Sequence, residues 1–302
     1  MTGFAIFLVL VSAVIHLGWN LVVKREHPTL AFLFLSSACG TLFLAPMLLW
    51  IGDGPPQLPP AAWGALAATG LFQLIYCSCL VGAYRKGDLS IAYPLIRSIP
   101  PVLVALAAVP LGRAQLISPT CWLGIIAILA GGVLLPMRHF ADVRLRNYLN
   151  VCCGLSFLSA IGTTGYCLVD DFALRMIRDN SEGGLSAIDA AIVYVPYQLA
   201  SVVLFLGGSV LFNSSERRNL AAIWRQSKRT AAVAGACMYP SYFLVLIAMG
   251  YVAEVSYVVG FRQVSVPLSV LVGITLLGEP RSGPKWLGVL LLFAGVLMVG
   301  AG

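Results

Sequence analysis

Ten apolar runs, each about the length of a membrane crossing, decide what this chain can fold into. They cover 3–23, 29–51, 61–84, 89–110, 118–137, 147–169, 187–212, 230–250, 254–277 and 283–301. A helix rising 1.5 Å per residue needs about 20 such residues to cross a hydrocarbon layer of roughly 30 Å. Hydrophobic residues make up 59% of the chain and charged residues only 10%, against about a quarter charged in soluble domains. That leaves too little polarity to build a water-facing surface. In lipid the backbone must satisfy its own hydrogen bonds, so the runs predict helices. Between them stand turn-forming clusters: Gly52-Asp53-Gly54-Pro55-Pro56, Arg85-Lys86-Gly87-Asp88 and Gly278-Glu279-Pro280-Arg281. Only the connections at about 170–186 and 213–229 exceed a dozen residues. No soluble domain fits, and residues 1–302 read as one transmembrane domain.

Part of the chain is written twice. Ser90, Arg97, Pro101, Gly112, Trp122-Leu123-Gly124 and Ala130-Gly131 have counterparts in Ser256, Arg262, Pro267, Gly278, Trp286-Leu287-Gly288 and Ala294-Gly295. The early positions are offset by 166 residues and the later ones by 164, with Arg262 one place short of register. The fourth run and the ninth are five crossings apart, an odd number, so the copies point in opposite directions. The expected fold is an all-α membrane protein of ten transmembrane helices, arranged as two inverted five-helix repeats, 1–140 and 145–302. That arrangement typifies secondary transporters.

Charge gives an orientation. Of the 19 Lys and Arg, fourteen lie in the connections on one side, and only Arg113, Arg175 and Arg178 on the other. Basic loops stay in the cytoplasm, which places both termini outside. The excess of +7 follows membrane topology rather than a nucleic-acid-binding face. Met1 to Leu10 has no basic segment ahead of its apolar stretch, so the first run reads as a span rather than a cleaved signal. All eight cysteines fall in apolar runs without metal-site spacing. No phosphate-cradling Gly-rich loop, nucleophile–His–Asp set or His-Glu-x-x-His helix is visible, so catalytic residues, metal and cofactor are all expected to be none.

The chemistry-bearing residues lie inside the runs. An ionisable group at the centre of a span costs about 2.5–3.5 kcal/mol on insertion scales, so it must face a cavity or a partner. Arg97 and Arg262 lie near the middle of equivalent runs, entered from opposite sides. Two such cations imply an anion between them, held as a carboxylate or phosphate-like group. The competing reading ties each to backbone carbonyls freed by Pro94, Pro100, Pro101 and Pro267, or to an internal acid. Proline beside arginine in both copies points to a central site. His16, Asn20 and Lys24 share one face of the first run. His16 and Asn20 either line the cavity, with His16 able to exchange a proton, or bond across helices. Tyr194, Tyr197 and Gln198 share a face of the seventh run; Tyr76, Tyr239 and Tyr242 are further candidates. Asp170 and Asp171 read as a solvated outer rim. The Trp-Leu-Gly segments read as close helix packing, of these two spans against each other or against a second subunit.

The two-half arrangement, the endings Leu111-Gly112-Arg113 and Leu277-Gly278-Glu279, and the glycine-bearing fifth and tenth runs resemble the EamA type of the drug/metabolite transporter superfamily. Leu-Gly-Glu is usual at both endings in that family; here Arg113 replaces the first Glu, which implies a helix-end role there. His16-x-x-Trp19-Asn20, Arg85-Lys86-Gly87-Asp88-Leu89-Ser90 and Tyr93-Pro94-x-x-Arg97 are similar to a subgroup some of whose members occur with phosphonate-utilisation genes. The resemblance implies movement of amino acids, nucleotide sugars, organic phosphates or other metabolites.

The expected function is secondary transport of a small organic anion or zwitterion, of amino-acid or phosphonate type, across a bacterial inner membrane by alternating access. The expected site is Arg97, Arg262, His16, Asn20, Tyr93, Tyr197 and Gln263. Expected partners are a small-molecule substrate and the lipid bilayer, with no nucleic acid, and the chain acts as a monomer or homodimer. The alternative is a non-transporting subunit or scaffold of a lipid-modifying complex, with both arginines paired internally.

Overall fold

The computed structural model describes residues 1–23, 29–50, 58–86, 89–137, 139–140, 149–180, 184–276 and 282–302, and every regular element among them is helical. The first half supplies α1 (Gly3–Val23), α2 (Leu30–Leu44, continued by a 3-10 turn over Ala45–Trp50), α3 (Pro60–Lys86), α4 (Leu89–Ala107) and α5 (Pro119–Leu134). The second half supplies α6 (Val151–Asp179), α7 (Ala187–Phe212), α8 (Ser214–Gln226), α9 (Lys228–Met249), α10 (Val255–Phe261), α11 (Ser265–Leu276) and α12 (Gly283–Ala301). Seven stretches are long and apolar enough to cross a membrane, and three shorter apolar ones, Gly3–His16, Ala92–Ala107 and Pro119–Leu134, stand at the other three expected places. Large apolar side chains face outward along the bundle, among them Leu204, Leu211, Phe212, Leu290 and Leu297. A lipid surround suits such a surface; water does not.

Helix starts follow local chemistry. Thr29, Ser118, Asn150, Ser186 and Ser282 each accept a hydrogen bond from the backbone N–H three residues on, which satisfies one of the four orphan donors at a helix start. Pro119 and Pro284 occupy the first turns of α5 and α12, where a missing N–H removes no helical bond.

Helix pairs come in matched sets. α3 packs on α6 and α1 on α9; α2 packs on α9 and α3 on α7; α4 packs on α6, and α1 on the α10–α11 segment. The α5–α12 seam is tight because each helix offers glycine to the other's backbone. A methyl added at Gly124 would stand 2.6 Å from the Gly295 carbonyl oxygen, and one added at Gly131 would stand 2.7 Å from that of Gly288. Small residues let backbones approach this closely in a membrane. Of the two expected roles for the Trp-Leu-Gly segments, the structure selects packing of these helices against each other.

Three expectations are corrected. The sixth span does not end at 169: α6 runs on to Asp179, so Asp170 and Asp171 are interior residues at 0% and 1% exposure, not a solvated rim. The connection over 213–229 is mostly helix. In α8, Leu220 and Ile223 turn toward the bundle, while Arg217, Arg218 and Arg225 are exposed. Buried Glu216 anchors it, accepting from Arg85 Nη2 at 3.0 Å and from the Ala31 backbone N–H at 3.0 Å. The ninth span is broken, as described next. Lys24, Asp88 and Glu279 lie outside the described residues.

Candidate functional site

The break in the ninth span builds the site. α10 ends at Phe261, Arg262–Val264 form one 3-10 turn, and α11 resumes at Ser265. Pro267 has no N–H for the carbonyl of Gln263, four residues back. The chain tightens there, and the Ser265 N–H bonds instead to the carbonyls of Arg262 and Gln263. Arg262 therefore sits at a helix discontinuity. Its partner Arg97 sits within the unbroken α4, which carries Pro94, Pro100 and Pro101 inside it.

Both guanidiniums reach one small cavity between the halves. Its lining includes Tyr76, Arg97, Thr163, Tyr166, Arg262 and Gln263, with Cys167 and Pro100. Its free volume is about 10 Å³, the threshold for a single water. The centre is therefore closely packed around its polar groups. Arg97 Nη2 donates to Ser265 Oγ at 2.9 Å, and that hydroxyl donates to the Arg262 carbonyl at 3.2 Å. One serine thus ties the two arginine segments together. Arg262 is 9% exposed and lies over the face of Tyr242, 5.3 Å from the ring centroid. Such a desolvated cation–π contact contributes about 2 kcal/mol. Tyr242 meets Tyr166 edge to face at 5.7 Å, and Tyr166 meets Tyr76 likewise at 5.9 Å.

Behind Tyr242 lies a buried carboxylate. Asp170 Oδ1 accepts from Thr69 Oγ1 and Tyr194 Oη, each at 2.7 Å, and Oδ2 accepts from Tyr242 Oη at 2.5 Å. The next residue, Asp171, belongs to a different cluster nearer the expected outer face. It accepts from Arg113 Nη1 at 3.1 Å and Arg175 Nε at 2.9 Å. Arg175 and Arg178 also donate to the Ala253 and Gly250 carbonyls, crossing to the turn between α9 and α10. Arg113, which follows the positive-φ turn at Gly112 beyond the end of α4, thus has its structural partner, Asp171, on α6.

The structure brings together four of the seven expected site residues and leaves three apart or undescribed. Arg97, Arg262 and Gln263 line the cavity. Gln263 donates to the Val259 carbonyl at 2.8 Å while its Oε1 is buried with no partner. His16 is buried on α1, close enough to Arg97 and Arg262 to feel both charges. Tyr93 is half-buried one turn before Arg97, its hydroxyl unpartnered, and it does not line the cavity. Tyr197 points away, stacked edge to face on exposed Trp63 at 5.7 Å; its neighbour Gln198 is the fully buried one. The side chain of Asn20 lies outside the described residues. Sequence reasoning missed Thr163, Tyr166 and Cys167, and misplaced Asp170. The signal was available: these positions recur every three or four residues and share one face of α6.

A model of the EamA-like transporter family matches residues 3–168, more than half of the chain. No curated protein matches. A solved structure titled "Crystal structure of protein" superposes with a TM-score of 0.72, covering 99% of this chain and 96% of that one at 17% identity. At that identity the likeness concerns the fold.

Proposed function

The chain belongs to the EamA-like transporter family, a family of multi-pass membrane transporters, and we propose that it moves a small organic anion or zwitterion through the Arg97–Arg262 site by alternating access. One observation carries the substrate class. Two guanidiniums from repeat-equivalent segments line one cavity, and neither is paired with an acid. Among the described residues the ion pairs are Arg85–Glu216, Arg113–Asp171 and Arg175–Asp171, all elsewhere. Nε of Arg97 and Nε of Arg262 are both buried without a partner. Buried unpaired donors on a cation are costly, and a carboxylate or phosphonate bound between them satisfies both at once.

The matched helix pairs support the ten-helix inverted-repeat reading, because each pair maps onto another when the halves are exchanged. The tight α5–α12 seam maps onto itself and suits a pivot. In the proposed orientation, with basic loops inside the inner membrane, the Asp171 cluster ties the outer ends of α4, α6 and the α9–α10 turn. Opening outward then requires those ion pairs to part. Protein reconstituted in proteoliposomes and offered labelled amino acids, methylphosphonate and glycerol 3-phosphate should transport an anionic or zwitterionic member. Arg262→Ala should cut that flux by about 100-fold, the equivalent of two lost charge-assisted bonds. Flux of neutral or cationic solutes alone, or flux untouched by both arginine substitutions, would contradict the reading.

A further inference from the structure

Among the buried carboxylates of the described residues, Asp170 is the one held by side-chain hydroxyls alone and left unused by the substrate reading. It is fully buried, yet no Lys or Arg among the described residues lies within ion-pair distance of it. A buried charge in a bilayer needs compensation, and three hydroxyls supply it here. Their distribution is uneven. Oδ1 holds two donors, Thr69 and Tyr194; Oδ2 holds Tyr242 alone. Oδ2 is therefore the oxygen with room for a proton.

We infer that Asp170 is a proton-binding site whose occupancy is read by Arg262 through Tyr242; the consequence for transport rests on the substrate reading above. When a proton from water adds to Oδ2, the new acid O–H donates to Tyr242 Oη, and the phenol must turn its own hydrogen elsewhere. The ring that carries that phenol is the one on which Arg262 rests. Losing the negative charge also removes an attraction that draws the Arg262 cation toward α6. Arg262 is then freer to hold an anion in the cavity. Linkage is reciprocal, so an anion held by Arg262 favours protonation of Asp170. Proton and substrate anion would thus be taken up together, which couples transport to a proton gradient.

Other charged and titratable groups facing Asp170 fix the sign. On its own helix stand Cys167 and Asp171, the latter already neutralised by Arg113 and Arg175. Helix α3 presents Thr69 and α7 presents Tyr194. From α9 comes Tyr242, and from the broken span Arg262, which rests on the Tyr242 ring. The cation that rests on the Tyr242 ring is the charge Asp170 shares with the cavity, and covering it with an anion makes a proton on Asp170 easier to hold.

The test needs no substrate. Infrared difference spectra of the full chain in lipid nanodiscs, recorded across about pH 4 to 9, should show a carboxylic-acid carbonyl band that titrates in the parent and is missing in Asp170→Asn. Arg262→Gln should raise the titration midpoint by about one pH unit or more, and Tyr242→Phe should raise it by removing the sole donor to Oδ2. Saturating inorganic phosphate should raise it in the parent and leave Arg262→Gln unmoved. A band that does not titrate, or a midpoint indifferent to both Arg262→Gln and Tyr242→Phe, overturns the proton site. A midpoint that responds to both substitutions but not to phosphate leaves the proton site standing and counts against the anion reading.

Discussion

The α5–α12 seam and the arginine centre lie in the same two duplicated stretches, and they treat the duplication in opposite ways. At the seam the copies are interchangeable. Gly124 meets Gly295 and Gly131 meets Gly288, so exchanging the halves swaps one contact for the other. At the centre they are not. Arg97 stands half-buried in a continuous helix and bonds a serine of the other half. Arg262 stands nearly buried at a 3-10 break and rests on a tyrosine. The one-residue slip between the copies is thus expressed at the polar centre and absent where helices only need to pack. Symmetry suits a pivot; asymmetry suits a ligand whose two ends differ.

The largest effect should come from filling the seam. Gly131→Leu would drive a side chain into the Gly288 backbone, which cannot yield as a side-chain tip can. Overpacking of this kind costs about 3 kcal/mol or more, and thermal melting of the purified protein should show the folded state badly weakened. Gly288→Leu should cost nearly the same. A large difference between the two would break the interchangeability of the seam.

Arginine substitutions sharpen the other side of the contrast. Arg262→Ala should reduce anion affinity by about 100-fold and Arg97→Ala by about 10-fold, as isothermal titration would measure. Arg97 already spends one donor on Ser265, whereas no side-chain hydrogen bond engages the Arg262 guanidinium among the described residues. Equal losses would mean the centre is functionally symmetric after all.

Next in size, Asp171→Asn should loosen the outer ties. Cysteine labelling at Ala253→Cys by a membrane-impermeant reagent should quicken several-fold, since a partly buried ion-pair hub contributes about 1 kcal/mol. The smallest effect belongs to Pro267→Ala. An N–H regained at 267 can bond the Gln263 carbonyl and favours continuous helix through 262–264. Melting should shift upward by a few degrees at most while anion affinity falls, because Arg262 loses its place at a discontinuity.

Much of this architecture was legible from letters alone. Run lengths located the helices because a bilayer allows few alternatives to a helix about 20 residues long. The duplicated Trp-Leu-Gly segments located the seam, and the arginines with nearby prolines located the centre. What stayed hidden has physical causes. Asp170-Asp171 reads as a boundary by hydropathy, yet Asp170 accepts hydrogen bonds from hydroxyls of three other helices and Asp171 pairs with Arg113 and with Arg175 of its own helix, so α6 continues past them. Tyr197 and Gln198 are sequence neighbours only about 100° apart around the helix, and which one faces the interior depends on how α7 rotates against α3. The 3-10 break follows from Pro267, but proline either kinks a helix or interrupts it, and only the Ser265 bonds distinguish the two.

The central claim is that one anion is held between Arg97 and Arg262. The most direct check is a thermal-shift screen of purified parent, Arg97→Ala and Arg262→Ala against amino acids, phosphonates and organic phosphates. An anionic compound should stabilise the parent, lose most of its effect with Arg97→Ala and all of it with Arg262→Ala. An anionic compound that stabilises all three equally would contradict the site.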